Sequence, residues 1–167
     1  GVFETFINPQ EPIPAYITTL TGITDEMVLD APTIKVVLPT LFEFLGHEEE
    51  CVLVAHNAPF DLGFLKAASA VHEYPWPTYQ VLDTVKLARH LLTRDEVYDC
   101  KLSTLAHFFE TPIQPTHRAL DDAHSTVAVL HGLFERLGVF EVDTVEKLFE
   151  FLADKKKRLR EKIPKEF

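Results

Sequence analysis

The sequence predicts an α/β fold, a mixed sheet flanked by helices, on three observations. Cys51-Val52-Leu53-Val54-Ala55 is a continuous apolar run of strand length, and it passes through His56 into a helix-start signal at Asn57-Ala58-Pro59. A second short strand, near Gln80 to Leu82, runs into another helix start at Asp83. Between and after these strand-to-helix turns, apolar residues recur in steps of three and four, the spacing of amphipathic helices.

Each element follows in chain order. Val2-Phe3-Glu4-Thr5-Phe6 reads as a strand that runs straight into Asn8-Pro9. Residue 1 is Gly and nothing precedes this strand to pair with it, so the fold is expected to be truncated at the N-terminus. Glu11 to Tyr16 is a Pro-rich loop, and Thr24-Asp25-Glu26-Met27 offers an N-cap and an acidic first turn for a short helix. Residues 33 to 45 read as a longer helix with Val37, Leu41, Phe42 and Leu45 on one face, a kink or restart at Pro39 and a stop at Gly46. The run from Cys51 to Ala55 is expected to be covered on both faces. Asn57 can cap the next helix and Pro59 can sit in its first turn, which places Asp61 near the positive end of the helix dipole at the carboxyl edge of a strand, where open sheets put their sites. After the aromatic loop Tyr74-Pro75-Trp76-Pro77 and the second strand, Asp83 caps a helix reaching Leu92, with Leu87 and Leu91 on one side. A helix over about Lys101 to Phe109 and a Pro112 to Pro115 loop lead to the last clear helix, from about Leu120. There Ala123, Val127, Leu130, Phe134 and Leu137 form a core stripe closed by Gly138.

Composition bounds the rest. The 167 residues, without repeat or long linker, suit one domain spanning residues 1–140, followed by a charged helical linker or tail over 141–167. With 46% hydrophobic residues, 13 of all residues being Phe, the chain can bury a core without disulfides or a structural metal, so any metal is there for chemistry. Two cysteines, Cys51 and Cys100, make neither a disulfide framework nor a thiolate metal site, which suits a reducing cytoplasm. No apolar run approaches membrane-spanning length and no signal pattern opens the chain. A net charge of −10 argues against a non-specific nucleic-acid coat but not against an acidic site neutralised by divalent cations.

Two places concentrate chemistry. Asp61 is a carboxylate in the first turn of a helix directly after a strand, where a hard cation can reach it. His117-Arg118-Ala119-Leu120-Asp121-Asp122 puts an imidazole in a loop just before carboxylates in the opening turn of a helix. Taken singly, Asp61 and Asp122 read as caps or surface acids and His117 as a solvated loop residue.

Five motifs occur together in order. They are Leu20-Thr21-Gly22-Ile23-Thr24, Val54 through Leu65 (VAHNAPFDLGFL), Asp83 through Arg89 (DTVKLAR), Leu102-Ser103-Thr104-Leu105-Ala106 and His117 through Ala123 (HRALDDA). In order and spacing, over about residues 2 to 137, they resemble the DEDDh branch of the DnaQ-like 3′-to-5′ exonucleases, and most closely the proofreading epsilon-subunit type of DNA polymerase III. The resemblance implies a ribonuclease H-like fold. It implies that Asp61 and Asp122 are two of four acidic metal-site residues and His117 the general base, with Asp121 a neighbour and not the match. It implies two Mg²⁺ (or Mn²⁺) ions in the complete domain and a DNA 3′ end as substrate, RNA being a second nucleic acid that such folds accept. Those ions cover the charge that builds on phosphate and leaving oxygen, while an imidazole takes the proton of the attacking water at neutral pH. Asn57, Phe60, Gly22 and Ile23 are the substrate-binding candidates, Phe60 stacking on a terminal base and Ile23 wedging against it, with core packing as the alternative for Phe60 and Ile23.

One part of the family pattern is absent. The first motif, an Asp-x-Glu on an early strand, has no counterpart, because Glu4 beside Thr5 does not match it. The chain is therefore expected to be a piece of an active enzyme, inactive alone; the other reading is a protein that has dispensed with catalysis. At the far end, Ile163-Pro164-Lys165-Glu166-Phe167 after a basic stretch resembles the entry to a UvrC-type GIY-YIG endonuclease domain, the other explanation being a solvated charged helix. A DNA polymerase or such a fused nuclease are the partners implied. Two other classes stay open, a non-catalytic nucleic-acid-binding or scaffold module and a zinc protein, although the eight His residues lack zinc-ligand spacing.

Overall fold

The computed structural model describes residues 1–154, so the basic stretch from Lys155 and the Ile163 to Phe167 sequence lie outside the described residues. The elements are α1 (Ala15–Thr21), α2 (Asp25–Val28), α3 (Ile34–Leu45), β1 (Val52–Ala55), α4 (Ala58–Val71), β2 (Gln80–Asp83), α5 (Thr84–Leu91), α6 (Leu102–Phe108), α7 (Ala119–Leu137), a single 3-10 turn (Gly138–Phe140) and α8 (Val145–Ala153). β1 and β2 pair as a small parallel sheet around the α4 crossover, which makes the fold mixed α/β, as the alternating pattern predicts. The residues group into two compact units, Gly1–Leu53 with Pro59–Val81 and Val54–Ala58 with Leu82 onward.

In the first unit, Val2 to Phe6 is not a strand. No partner strand lies beside it among the described residues; Phe3 packs on Phe44 instead, with ring centroids 5.4 Å apart, and the Asn8 amide donates to Pro32 O at 3.0 Å. The Pro-rich loop also ends earlier than expected. Pro14 occupies the N-cap of α1, where a missing N–H costs nothing, so the two residues after it are already helical. Thr19 and Thr21 hydroxyls donate back to Ala15 O and Ile17 O, and Gly22, at φ 70°, closes the helix in the left-handed conformation.

α3 runs through Pro39 without interruption. The proline leaves Lys35 O without its helical donor, and the Tyr74 hydroxyl approaches that oxygen at 3.5 Å. Val37 and Leu38 are buried, whereas Leu41, Phe42 and Leu45 are only half-buried, so the core face is turned from the expected stripe toward Leu38. Phe42, Trp76 and Tyr79 form a chain of edge-on rings, with the Tyr79 hydroxyl donating to Gly46 O at 2.8 Å. β1 is not covered on both faces: Val54 is 39% exposed, and β1 pairs with a single strand, β2, among the described residues.

The second unit is built around α7, which packs against α5 and α6. Leu87 and Leu91 are buried as the α5 pattern predicts, together with Leu105, Ala106, Val129, Leu133 and Leu137. On α7 the expected stripe is largely the wrong face. Val127 and Phe134 are 51% and 43% exposed, and the buried face is Ser125, Thr126, Val129, Leu133 and Leu137. The cause is close approach: Gly132 and small polar residues let neighbouring elements press in, and Phe109 lies directly over Gly132. Gly138 caps α7 but stays right-handed, and the chain reverses at Glu141, at φ 55°. α8 starts at Thr144, whose hydroxyl accepts from the Lys147 amide, and it buries Leu148 and Phe151, the latter against His90 and Phe140.

Candidate active site

The β1–α4 turn is the first place of interest. Asn57 does not take the extended conformation of an N-cap; its φ is 67°, left-handed, a region that Asn tolerates better than most residues. Its main-chain N–H donates to Asp83 Oδ1 at 3.1 Å, and the same oxygen accepts from Val85 N at 2.9 Å as the N-cap of α5. Thr84 Oγ1 lies 2.8 Å from His56 Nδ1 and 3.5 Å from Ala55 O. If the Thr84 hydroxyl donates to that carbonyl, it accepts from a protonated Nδ1. Asp61 follows in the first turn of α4, near the positive end of the helix dipole. The sequence identifies the Asp83 cap but not its second bond, since 26 residues separate Asp83 from Asn57 and no spacing rule joins them.

The second place is the start of α7. Asp122 Oδ1 accepts the main-chain N–H of Thr116 at 3.0 Å and of His117 at 3.3 Å, so one carboxylate oxygen holds the loop that carries the imidazole. Asp121 Oδ2 accepts the Thr116 hydroxyl at 2.7 Å. Upstream, Thr111 donates to Ile113 O and Gln114 donates to Thr111 O, which orders the loop from its other end. His117 is exposed and sits at φ 64°. That conformation costs on the order of 1–3 kcal/mol for a residue with a Cβ, and such strain concentrates at functional sites.

The structure thus joins His117 to Asp122 within the second unit, which also holds Asn57. Asp61, Phe60, Gly22 and Ile23 belong to the first. Phe60 is no core residue, being 63% exposed with its ring edge-on to Phe64 at 5.1 Å, so packing does not account for it. Ile23 is half-buried and its amide donates to Thr21 Oγ1. The donor chemistry of Asp61 and Asp122 suits a hard divalent cation. The set is incomplete, however, because among the described residues no three His, Cys, Asp or Glu side chains gather to hold an ion. No zinc-type cluster exists there either. No helix among the described residues is long and apolar enough to cross a membrane.

Comparison with known proteins gives a consistent result. Residues 1–130 match the Exonuclease (RNase_T) family. The chain is 52% identical over 154 residues to a Mycobacterium tuberculosis (strain CDC 1551 / Oshkosh) protein provisionally named a bifunctional exonuclease/endonuclease, covering 92% of this chain and 23% of that protein. It is 41% identical to a PolC-type DNA polymerase III of Caldanaerobacter subterraneus subsp. tengcongensis, over 92% of this chain and 10% of the polymerase. It is 31% identical to the 3′-5′ exonuclease DinG of Staphylococcus epidermidis, over 88% of this chain and 16% of that protein. The chain therefore spans less than a quarter of the length of each of these relatives. Among solved structures it is similar to Exonuclease X in complex with 5′ overhanging duplex DNA, with TM-score 0.62 and 27% identity over 88% of this chain and 78% of the other.

Proposed function

We propose, from the premise that this chain belongs to the exonuclease family matched over residues 1–130, that it is the DEDDh-type exonuclease domain of a larger DNA-processing protein and removes nucleotides from DNA 3′ ends. Family and relatives make it a nuclease domain of ribonuclease H-like fold. The observation that carries the finer reading is the start of α7, where Asp122 Oδ1 holds the amides of Thr116 and His117.

In this reading His117 is the general base, exposed on a loop whose backbone is fixed, so its ring can take the proton of an attacking water and pass it to solvent. Phe60, exposed beside Asp61, offers a flat apolar face to a terminal base, with Gly22, Ile23 and Asn57 as further substrate contacts. The family depends in general on divalent metal, and Mg²⁺ or Mn²⁺ would supply charge neutralisation at the phosphate. Asp61 and Asp122 are two of the carboxylates this requires. The sequence contains no Asp-x-Glu anywhere, so the chain alone is inactive and the activity belongs to a protein that supplies the other two.

The kinship to a provisionally bifunctional exonuclease/endonuclease favours a parent with a second nuclease domain, whose GIY-YIG type rests on the resemblance at Ile163 to Phe167 alone, and the PolC relatives favour a polymerase partner as the alternative. A second reading, a non-catalytic nucleic-acid-binding module, draws on the absence of a three-ligand cluster among the described residues. The test uses the full-length protein that carries this chain, on a 5′-labelled DNA strand with either a free or a blocked 3′ end. A shortening ladder from the free end only, abolished by EDTA, is the expected result. Release of the labelled 5′ nucleotide from the blocked strand refutes the polarity, internal cuts in that strand report the second nuclease domain, and DNA binding without cutting favours the module.

A further inference from the structure

We propose that Asp83 is a positioning residue of this nuclease site, setting the backbone at Asn57 and with it the first turn of α4, where Asp61 lies; the inference rests on the metal-ligand reading of Asp61. Capping α5 requires a single acceptor for the Val85 amide, which Ser or Thr could provide. Asp83 does more, because the same Oδ1 also accepts the Asn57 amide at 3.1 Å, and the side chain is only 6% exposed. A buried carboxylate is unfavourable unless its oxygens are hydrogen-bonded, and here two amides and the N-terminus of α5 stabilise it. The next residue repeats the arrangement. Thr84, fully buried, lies 2.8 Å from His56 Nδ1, so two consecutive residues at the β2–α5 junction hold two consecutive residues of the β1–α4 turn. That turn includes the left-handed Asn57, at φ 67°, which an unrestrained chain populates sparsely. Asp61 comes four residues after Asn57, within the first turn of the helix that this turn opens.

The test compares Asp83→Asn, which keeps a carbonyl oxygen able to accept both amides, with Asp83→Ser, which can still cap α5 but is too short to reach Asn57. Amide exchange of this chain is followed by NMR. The expected result is a protected Asn57 amide in the unmodified chain. In Asp83→Ser it exchanges about tenfold faster or more while Val85 stays protected, and in Asp83→Asn it stays near the original rate. Rapid exchange at Asn57 in the unmodified chain overturns the proposal even where no variant folds. So does unchanged exchange in the Ser variant, or equal loss in the Asn variant. The second arm uses the full-length protein. Asp83→Ser should raise the Mn²⁺ concentration for half-maximal nucleotide release from a DNA 3′ end about tenfold, with excess metal recovering most of the rate and Asp83→Asn resembling the original. Loss of Asn57 protection with an unchanged metal requirement overturns the positioning role. A full-length protein with no metal-dependent release from a DNA 3′ end refutes the exonuclease reading instead, and amide exchange then decides by itself whether Asp83 sets the turn.

Discussion

Replacing Gly132 with Ala pits helix propensity against packing, and the two predict opposite signs. Gly132 lies inside α7, where Ala is favoured over Gly by about 1 kcal/mol. A Cβ built on Gly132 would sit 2.6 Å from Phe109 Cγ and 2.9 Å from Cε1, with Cδ1 nearer still. These atoms include the base of the ring, so a small swing at its tip does not clear the clash. Overpacking of this kind costs about 1–3 kcal/mol, and the severity here favours the upper end. The net is a destabilisation of about 2 kcal/mol, which for a chain of this size lowers Tm by roughly 4–8 °C. Thermal unfolding followed by circular dichroism measures it. In a Phe109→Leu background the same substitution should become neutral or stabilising. A rise in Tm for Gly132→Ala alone would refute the packing argument.

Three further outcomes follow from the second unit. Leu133→Ala should cost about 2–5 kcal/mol and Phe134→Ala under about 1 kcal/mol in urea unfolding, and the reverse order would return the core to the expected stripe. Thr84→Val should lose about 1–3 kcal/mol by leaving His56 Nδ1 without this partner, whereas a neutral result would make that contact incidental. Burial works to raise the Glu96 carboxyl, but bonds from Thr93 and the Arg136 guanidinium, 2.9 Å away, outweigh it and hold the group below its ordinary value. Its stabilisation, under about 1 kcal/mol at this partly exposed pair, is then full above the unfolded carboxylate range and disappears as pH falls through the lowered value. The stability gap between the original chain and Glu96→Gln should therefore close as pH falls from the ordinary carboxylate range through the lowered value, and a gap constant with pH would contradict the assignment.

Features encoded locally were legible in the sequence. The Asp83 cap, Leu87 and Leu91 on one side of α5 and the stop at Gly46 each depend on residues within a few positions of one another. The α7 face was not, because apolar residues occur in two adjacent registers and burial falls on the one containing Ser125, Thr126 and Gly132, small enough for neighbours to approach. α1 was hidden by prolines that read as loop until Pro14 proves to be a cap. The strand expected over Val2 to Phe6 depended on a partner that local pattern cannot provide. At the candidate site, residue types and order gave His117, Asp61 and Asp122, but the bonds from Asp122 to the His117 loop and from Asp83 to Asn57 are tertiary and carry no sequence signature of their own.

The role of His117 is read most directly from the rate of nucleotide release from a DNA 3′ end by the full-length protein in Mg²⁺, before and after His117→Ala. Because His117 is exposed, the substitution should leave thermal unfolding in place while lowering the rate about 10²–10⁴-fold. Release that survives within a few-fold would contradict the assignment of His117 as the base.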